Sequence, residues 1–173
     1  MGTRTIPLSA LGQQLIGMHQ ELIPALGVSI LRVAAEELFM DASRRSPVGS
    51  VSTSRHPGKY AASHRLSAGS PRYADLGDQT AFPRLGVTDA ASALAELSLD
   101  QIVWLTNDAA SDGNDQSYAP VLEAGRHVDS LGRMAGSLQA PDGIYGPAIE
   151  ALGSRGAQLM DRAINNTLRA MGY

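Results

Sequence analysis

The chain reads as an α+β protein, a small mostly antiparallel sheet packed by a long N-terminal helix and a C-terminal helix. Three observations carry that reading. Apolar residues recur near every 3.6 positions from residue 8 to about 43. Short extended runs separated by Gly-, Ser- and Pro-rich stretches fill residues 59–144. Helical spacing then returns over residues 147–171. With 173 residues, a hydrophobic fraction of 43% and a mean hydropathy of −0.10, residues 1–173 are expected to form one domain with a sizeable core.

In the first helix the stripe is Leu11, Leu15, Met18, Leu22, Leu26, Ile30, Val33 and Leu38, with Ser9 placed to cap the N-terminus. Pro24 removes one backbone hydrogen bond, so a kink or a fresh start is expected there. Gly12, Gly17 and Gly27 weaken the front half, each by up to roughly 1 kcal/mol relative to Ala. Ser46-Pro47-Val48-Gly49 ends the helix. The Ser- and Gly-rich run to Gly58 has too few apolar residues to offset its own ordering entropy and is expected to be mobile in a free subunit.

Lys59 to Pro71 is expected to hold the first strand, with Tyr60, Ala62, His64 and Leu66 on one side. Residues 72–84 are turn-rich, and Thr88–Leu97 reads as a short helix capped by Thr88. Gln101–Asn107 is the main strand. Ile102, Trp104 and Thr106 fall on one face and Val103 and Leu105 on the other. Both faces carry apolar residues, which is the pattern of a central strand. Trp104, the single tryptophan, is expected to anchor the core. Ala109–Ser117 has the composition of a mobile loop tip, and Tyr118–Ala124 fits either a helical turn or a short strand. In the last helix Pro147 suits the first turn, and Gly153 and Gly156 weaken the early part unless another element packs closely there.

The absence of cysteine excludes disulfides, thiolate catalysis and thiolate zinc sites. No apolar run approaches the roughly 20 residues that span a bilayer. The first seven residues lack the apolar stretch of a secretory signal, so synthesis in the cytoplasm and no membrane partner are expected. The histidines at 19, 56, 64 and 127 form no ligand pair, and no nucleophile elbow or phosphate-cradling loop occurs. The chain is accordingly read as a non-enzyme that needs no cofactor or metal. Asp112, Asn114, Gln116 and Glu123 occupy positions one, three, five and twelve of a calcium-type loop, but Ser117 stands where that loop needs Gly.

The net charge of −3 conceals a segregation. Residues 42–74 hold six cations and no acid, and residues 75–129 hold ten acids and two cations. Solvated loops account for this as well as two complementary surfaces do. On the second account Arg44, Arg45 and Arg55 would meet acids of an adjacent subunit, and Arg65 and Arg72 would lie nearer the sheet.

Asn107-Asp108, Tyr118-Ala119, Leu122-Glu123, Gly125 and Ser137-x-Gln139-Ala140-Pro141-x-Gly143 together resemble a signature of the neck, or tail-completion, proteins of long-tailed phages. Family members run Asn-Asn-x-Pro-Tyr-Ala-x-x-Leu-Glu-x-Gly-x-Ser-x-Gln-Ala-Pro-x-Gly almost without interruption. Here 109–117 and 126–136 are inserted. Upstream, Pro47-Val48 and Ser67-Ala-Gly69-Ser-Pro71 also resemble the family, so the likeness spans roughly residues 46–144. It implies a structural virion protein made in the bacterial cytoplasm and placed at the head–tail junction. Its partners would be its own copies in a six- or twelve-fold ring, other head–tail connector and tail-tube proteins, and DNA passing through the channel without sequence-specific binding. A tail terminator capping the tail tube and a calcium-dependent binding module of the particle are the alternatives. Glu123, Gln139 and Pro141 would be structural or subunit-contacting, Glu123 by capping a loop or pairing with an arginine.

Overall fold

The computed structural model describes residues 7–48, 58–73, 87–107, 122–137 and 140–172. Within them lie helices α1 (Leu8–Arg45), α2 (Lys59–Ala62), α3 (Val87–Ala93), α4 (Tyr145–Ser154) and α5 (Gly156–Ala170), and strands β1 (His64–Ala68), β2 (Val103–Asn107), β3 (Arg126–Val128) and β4 (Met134–Gly136). The class is α+β, with the antiparallel pairing divided between two ribbons, β1–β2 and β3–β4. The segments 49–57 and 108–121, on which two loop expectations and the Tyr118 motif fall, lie outside the described residues.

One helix runs through Pro24 rather than starting afresh there. Its N-cap is Pro7, extended at φ −66° and ψ 145°, and Ser9 sits inside the first turn instead of capping it. The other end is set by Pro47. A residue before proline is pushed out of the helical region, and Ser46 accordingly turns to ψ 129°. The backbone N–H of Ser46 still donates to Ala42 O (3.0 Å), and its hydroxyl donates to the same oxygen (2.7 Å), closing the last turn.

The back half of α1 is the spine of the core. Phe39 packs with Leu66, Ala90, Leu94 and Leu97, and Ala42 packs with Tyr60, Leu122, Ala140 and Ile144. Leu105 lies against both groups and joins them. Arg32 ties α3 to this spine by donating to Leu94 O (2.9 Å), one of the carbonyls that follow the helix.

β1 and β2 pair antiparallel with His64 opposite Asn107, Leu66 opposite Leu105 and Ala68 opposite Val103. Side chains alternate along a strand, so putting Leu66 and Leu105 against α1 sends Trp104 to the far face. Trp104 is 37% exposed, with its indole N–H donating to Gly69 O (3.0 Å). It is not the core anchor; Phe39, Leu94 and Ile144 take that role. Among the described residues β2 pairs with β1 alone and is not central.

The C-terminal helix starts at Tyr145, two residues before Pro147, and breaks at Arg155 (φ −102°, ψ 9°) into α4 and α5. The break frees Arg155 to reach back to α1. Its guanidinium meets Glu37 (2.5 Å) and Asp41 (3.7 Å), while Arg162 one helix on meets Glu36 (2.7 Å) and Glu37 (3.4 Å). With Ser29 donating its hydroxyl to Ala163 O (3.0 Å), these contacts fix α5 antiparallel along α1.

Candidate functional site

The described signature residues Asn107, Glu123, Gly125, Ser137, Ala140, Pro141 and Gly143 converge where the end of α1, β1, the start of the β3–β4 ribbon and the N-terminus of α4 meet. Gly125 (φ +61°) and Gly143 (φ +77°) bring two loops into backbone contact. A Cβ on Gly125 would stand 2.5 Å from Pro141 O, and one on Gly143 would stand 2.8 Å from Glu123 O. Only glycine combines that conformation with that approach. Across the junction Arg126 N–H donates to Pro141 O (2.6 Å) and Ser137 N–H to Gly125 O (3.2 Å), while Gly143 N–H donates to Ala140 O (3.2 Å) within the second loop. Ser137 Oγ accepts from Ala140 N–H (3.1 Å).

Glu123 locks this clasp to the body. One carboxylate oxygen accepts the free N–H groups of Ile144 (3.2 Å) and Tyr145 (3.0 Å) at the start of α4, where the helix dipole favours negative charge. The other accepts the Tyr60 hydroxyl (3.3 Å). Glu123 thus caps the start of a helix, where a loop cap or an arginine partner was expected. Its oxygens face hydrogen-bond donors, the opposite of a calcium ligand's surroundings. Asn107, the first residue of the signature, donates its side-chain N–H to Tyr60 O (2.8 Å) and so joins the same assembly.

Beneath the clasp is a buried polar chain that the sequence did not reveal. His64 is fully buried, with Ser46 Oγ 2.6 Å from Nε2 and Tyr145 Oη 3.0 Å from Nδ1. Both tyrosines meet its ring edge-on, Tyr60 at 5.3 Å and Tyr145 at 5.7 Å between centroids. With the Ser46 hydroxyl donating to Ala42 O, the contact with His64 is satisfied when the imidazole carries its proton on Nε2 and donates to Ser46. Tyr145 then donates to the bare Nδ1. Burial, with the Arg65 guanidinium nearby, pushes the His64 pKa down to about 4. Burial and the Glu123 charge push the Tyr145 pKa up, so it stays a donor.

Ser beside His invites comparison with a nucleophile and its base, but the polarity is reversed. In a hydrolase the imidazole accepts the hydroxyl proton and a carboxylate accepts from its other nitrogen. Here the imidazole donates to Ser46 and accepts from Tyr145, and both Ser46 and His64 are buried. An open hollow of about 270 Å³ between β1 and α3 has Arg72 and Glu96 as its charged lining. None of its lining residues belongs to the clasp or to the buried chain, and it gathers no cluster of titratable groups. Among the described residues no three His, Cys, Asp or Glu side chains are grouped to hold a metal ion.

The arginines singled out for a subunit contact stand apart from the clasp. Arg44 and Arg45 are exposed in the last turn of α1, where positive charge suits the helix dipole. Arg45 is already paired with its own Asp41 (3.1 Å). Arg65 lies in β1 as expected, donating to the carbonyls of Ala62 (2.8 Å) and His64 (2.7 Å), and Arg72 O accepts the Thr106 hydroxyl of β2. Pro141 has an exposed ring and a carbonyl used in the clasp. Arg55 and Gln139 lie outside the described residues. His64 could have been noticed in the sequence because it shares a strand face with Leu66, but its partners, 18 and 81 positions away, left no local trace. Comparison with protein-family models, curated proteins and solved structures gives no match.

Proposed function

We propose that this chain is a structural subunit that forms a ring at the head–tail junction of a tailed phage or phage-like particle. The observation that carries the reading is the clasp. The signature residues Asn107, Glu123, Gly125, Ser137, Ala140, Pro141 and Gly143 hold loop to loop and loop to helix. Their chemistry goes into fixing a turn at one place on the body, which is what an assembly subunit needs and a reaction centre does not. The Ser46–His64–Tyr145 chain points the same way, because its protons are arranged to join α1, β1 and α4 rather than to activate a hydroxyl.

On this reading the partners are copies of the chain in a six- or twelve-fold ring and the connector and tail-tube proteins that stack on it. DNA passes through the channel without sequence-specific binding, and no cofactor takes part. No helix among the described residues is long and apolar enough to cross a membrane. Native mass spectrometry and negative-stain imaging of the purified chain test the reading. Closed six- or twelve-fold rings are expected. A chain that stays monomeric at its highest soluble concentration, or that grows only into open fibres, overturns it.

A further inference from the structure

We infer that the N-terminal arm of α1, residues 8–23, docks on the apolar flank of α5 of a second copy of this chain. The inference rests on the self-assembly proposed above and names the surfaces that make it. The arm exists because α1 outruns its own partner helix. Ser29 is held to Ala163, and α5 ends seven residues later at Ala170, so its end comes level with about Leu22. Residues 8–21 therefore extend about 21 Å past it.

That extension has the surface of an interface. Ile16, Met18 and Ile23 are 59%, 50% and 56% exposed, and every residue from Met18 to Glu21 is exposed. From residue 8 to residue 31 the only formally charged side chain is Glu21. Exposed apolar residues with so little charge match the core of a protein–protein contact, and they offer nothing to a nucleic acid or a charged surface.

The receiving surface is on α5. Ala163 and Thr167 are buried, but the apolar stripe of α5 is wider than what its own α1 covers. Met160 and Ile164, 42% and 37% exposed, lie along its uncovered edge. Each surface also has a glycine one turn before its exposed apolar residue: Gly12 before Ile16, and Gly156 before Met160. A Cβ at either would meet nothing within 4 Å inside the chain. Glycine is unfavourable in a helix, and close approach of a second helix gives these two a use.

An arm placed on α5 of the next copy covers both patches with one contact, whereas arm against arm leaves the α5 flank bare. The arm-to-α5 contact joins unlike surfaces, so it propagates around a ring. Half the lateral surface of a 21 Å helix about 10 Å across is roughly 330 Å². A stable pair buries about 800 Å² on each partner. One arm is too small for a lone dimer, and each subunit needs both to give and to receive one, which favours closure.

The chain has no cysteine, so introduced thiols report without interference. Ile16→Cys and Ile164→Cys chains, each made alone, are mixed and treated with a short bismaleimide at the highest soluble concentration. A mixed Ile16→Cys/Ile164→Cys adduct is expected, retained at high salt because the contact is apolar. Neither chain alone should link. Linking of Ile16→Cys with itself means arm pairs with arm and overturns the inference, as does the absence of any adduct. Native mass spectrometry separates this from the ring reading. Mixed adducts with only open ladders leave the arm contact standing and sink the ring, and closed rings without mixed adducts do the reverse.

Discussion

Acidification gives the most direct test of the buried Ser46–His64–Tyr145 chain. His64 is enclosed by the edges of Tyr60 and Tyr145, with Ser46 on one nitrogen and the Arg65 guanidinium as the charge that opposes its protonation. Its pKa is about 4 in the folded chain against 6.5 for a free histidine. Below pH 6.5 the unfolded chain therefore binds a proton that the folded chain refuses. The contribution of neutral His64 is complete above pH 6.5 and is lost as pH falls towards 4. Integrated over that window, the loss is about 3 kcal/mol, a large part of the stability of a domain this size.

Urea denaturation at pH 7, 6, 5 and 4 reads the effect, with His64→Gln as the control. Glutamine can still donate to Ser46 but does not titrate. Carboxylate protonation is common to both proteins and cancels in the comparison. His19 and His127 are exposed and are present in both. The wild-type chain should lose about 3 kcal/mol more than the variant between pH 7 and pH 4. If the two fall in parallel, His64 is not a buried neutral donor and the proton arrangement assigned to the chain is wrong.

Glu123→Ala should cost about 1–3 kcal/mol, because it removes the acceptor of two helix-terminal N–H groups, whereas Glu123→Gln keeps an acceptor and should cost less; thermal melts compare them. Gly125→Ala should be worse than a helix-surface substitution by about 1–3 kcal/mol, since the added Cβ meets Pro141 O at 2.5 Å in a left-handed conformation, and an unchanged denaturation midpoint would place the clasp elsewhere. Phe39→Ala should cost about 3–5 kcal/mol while Trp104→Ala costs clearly less, and the reverse order in urea melts would put the indole back in the core.

The parts of the fold legible in the sequence were those set by local period. The 3.6-residue repeat marked α1 from residue 8 almost to its end, and the Val103–Asn107 strand lay inside the expected extended run. What could not be read depended on which surfaces meet. Both faces of β2 carry apolar residues, so nothing local told whether Leu105 or Trp104 would turn to α1. The packing of Phe39 and Leu66 decided it. The break at Arg155 is likewise tertiary: its glycines permit a break, but the acids of α1 give the guanidinium somewhere to go. For Glu123 the resemblance left a choice between capping a loop and pairing with an arginine, and in the fold it accepts the first N–H groups of α4. His64 was not, since a polar chain spanning Ala42 to Tyr145 has no sequence period.

The distribution of charge also changes meaning once the helices are placed. Read along the sequence, a cationic segment next to an acidic one suggests neighbouring subunits held by ion pairs. Among the described residues, the ion pairs that join one helix to another are made by charges outside those two segments. Glu36, Glu37 and Asp41 of α1 meet Arg155, Arg162 and Arg45, all within 4 Å. Partly exposed pairs of this kind contribute about 0–1 kcal/mol each, so their value is in fixing how α4 and α5 lie on α1. Fixing that register also carries the first turns of α1 past the end of α5, and among the described residues no other helix lies against them. The ion pairs set the geometry within the subunit, and the surface they leave open is apolar, so the force available for joining copies along that face is burial of side chains such as Ile16 and Ile23.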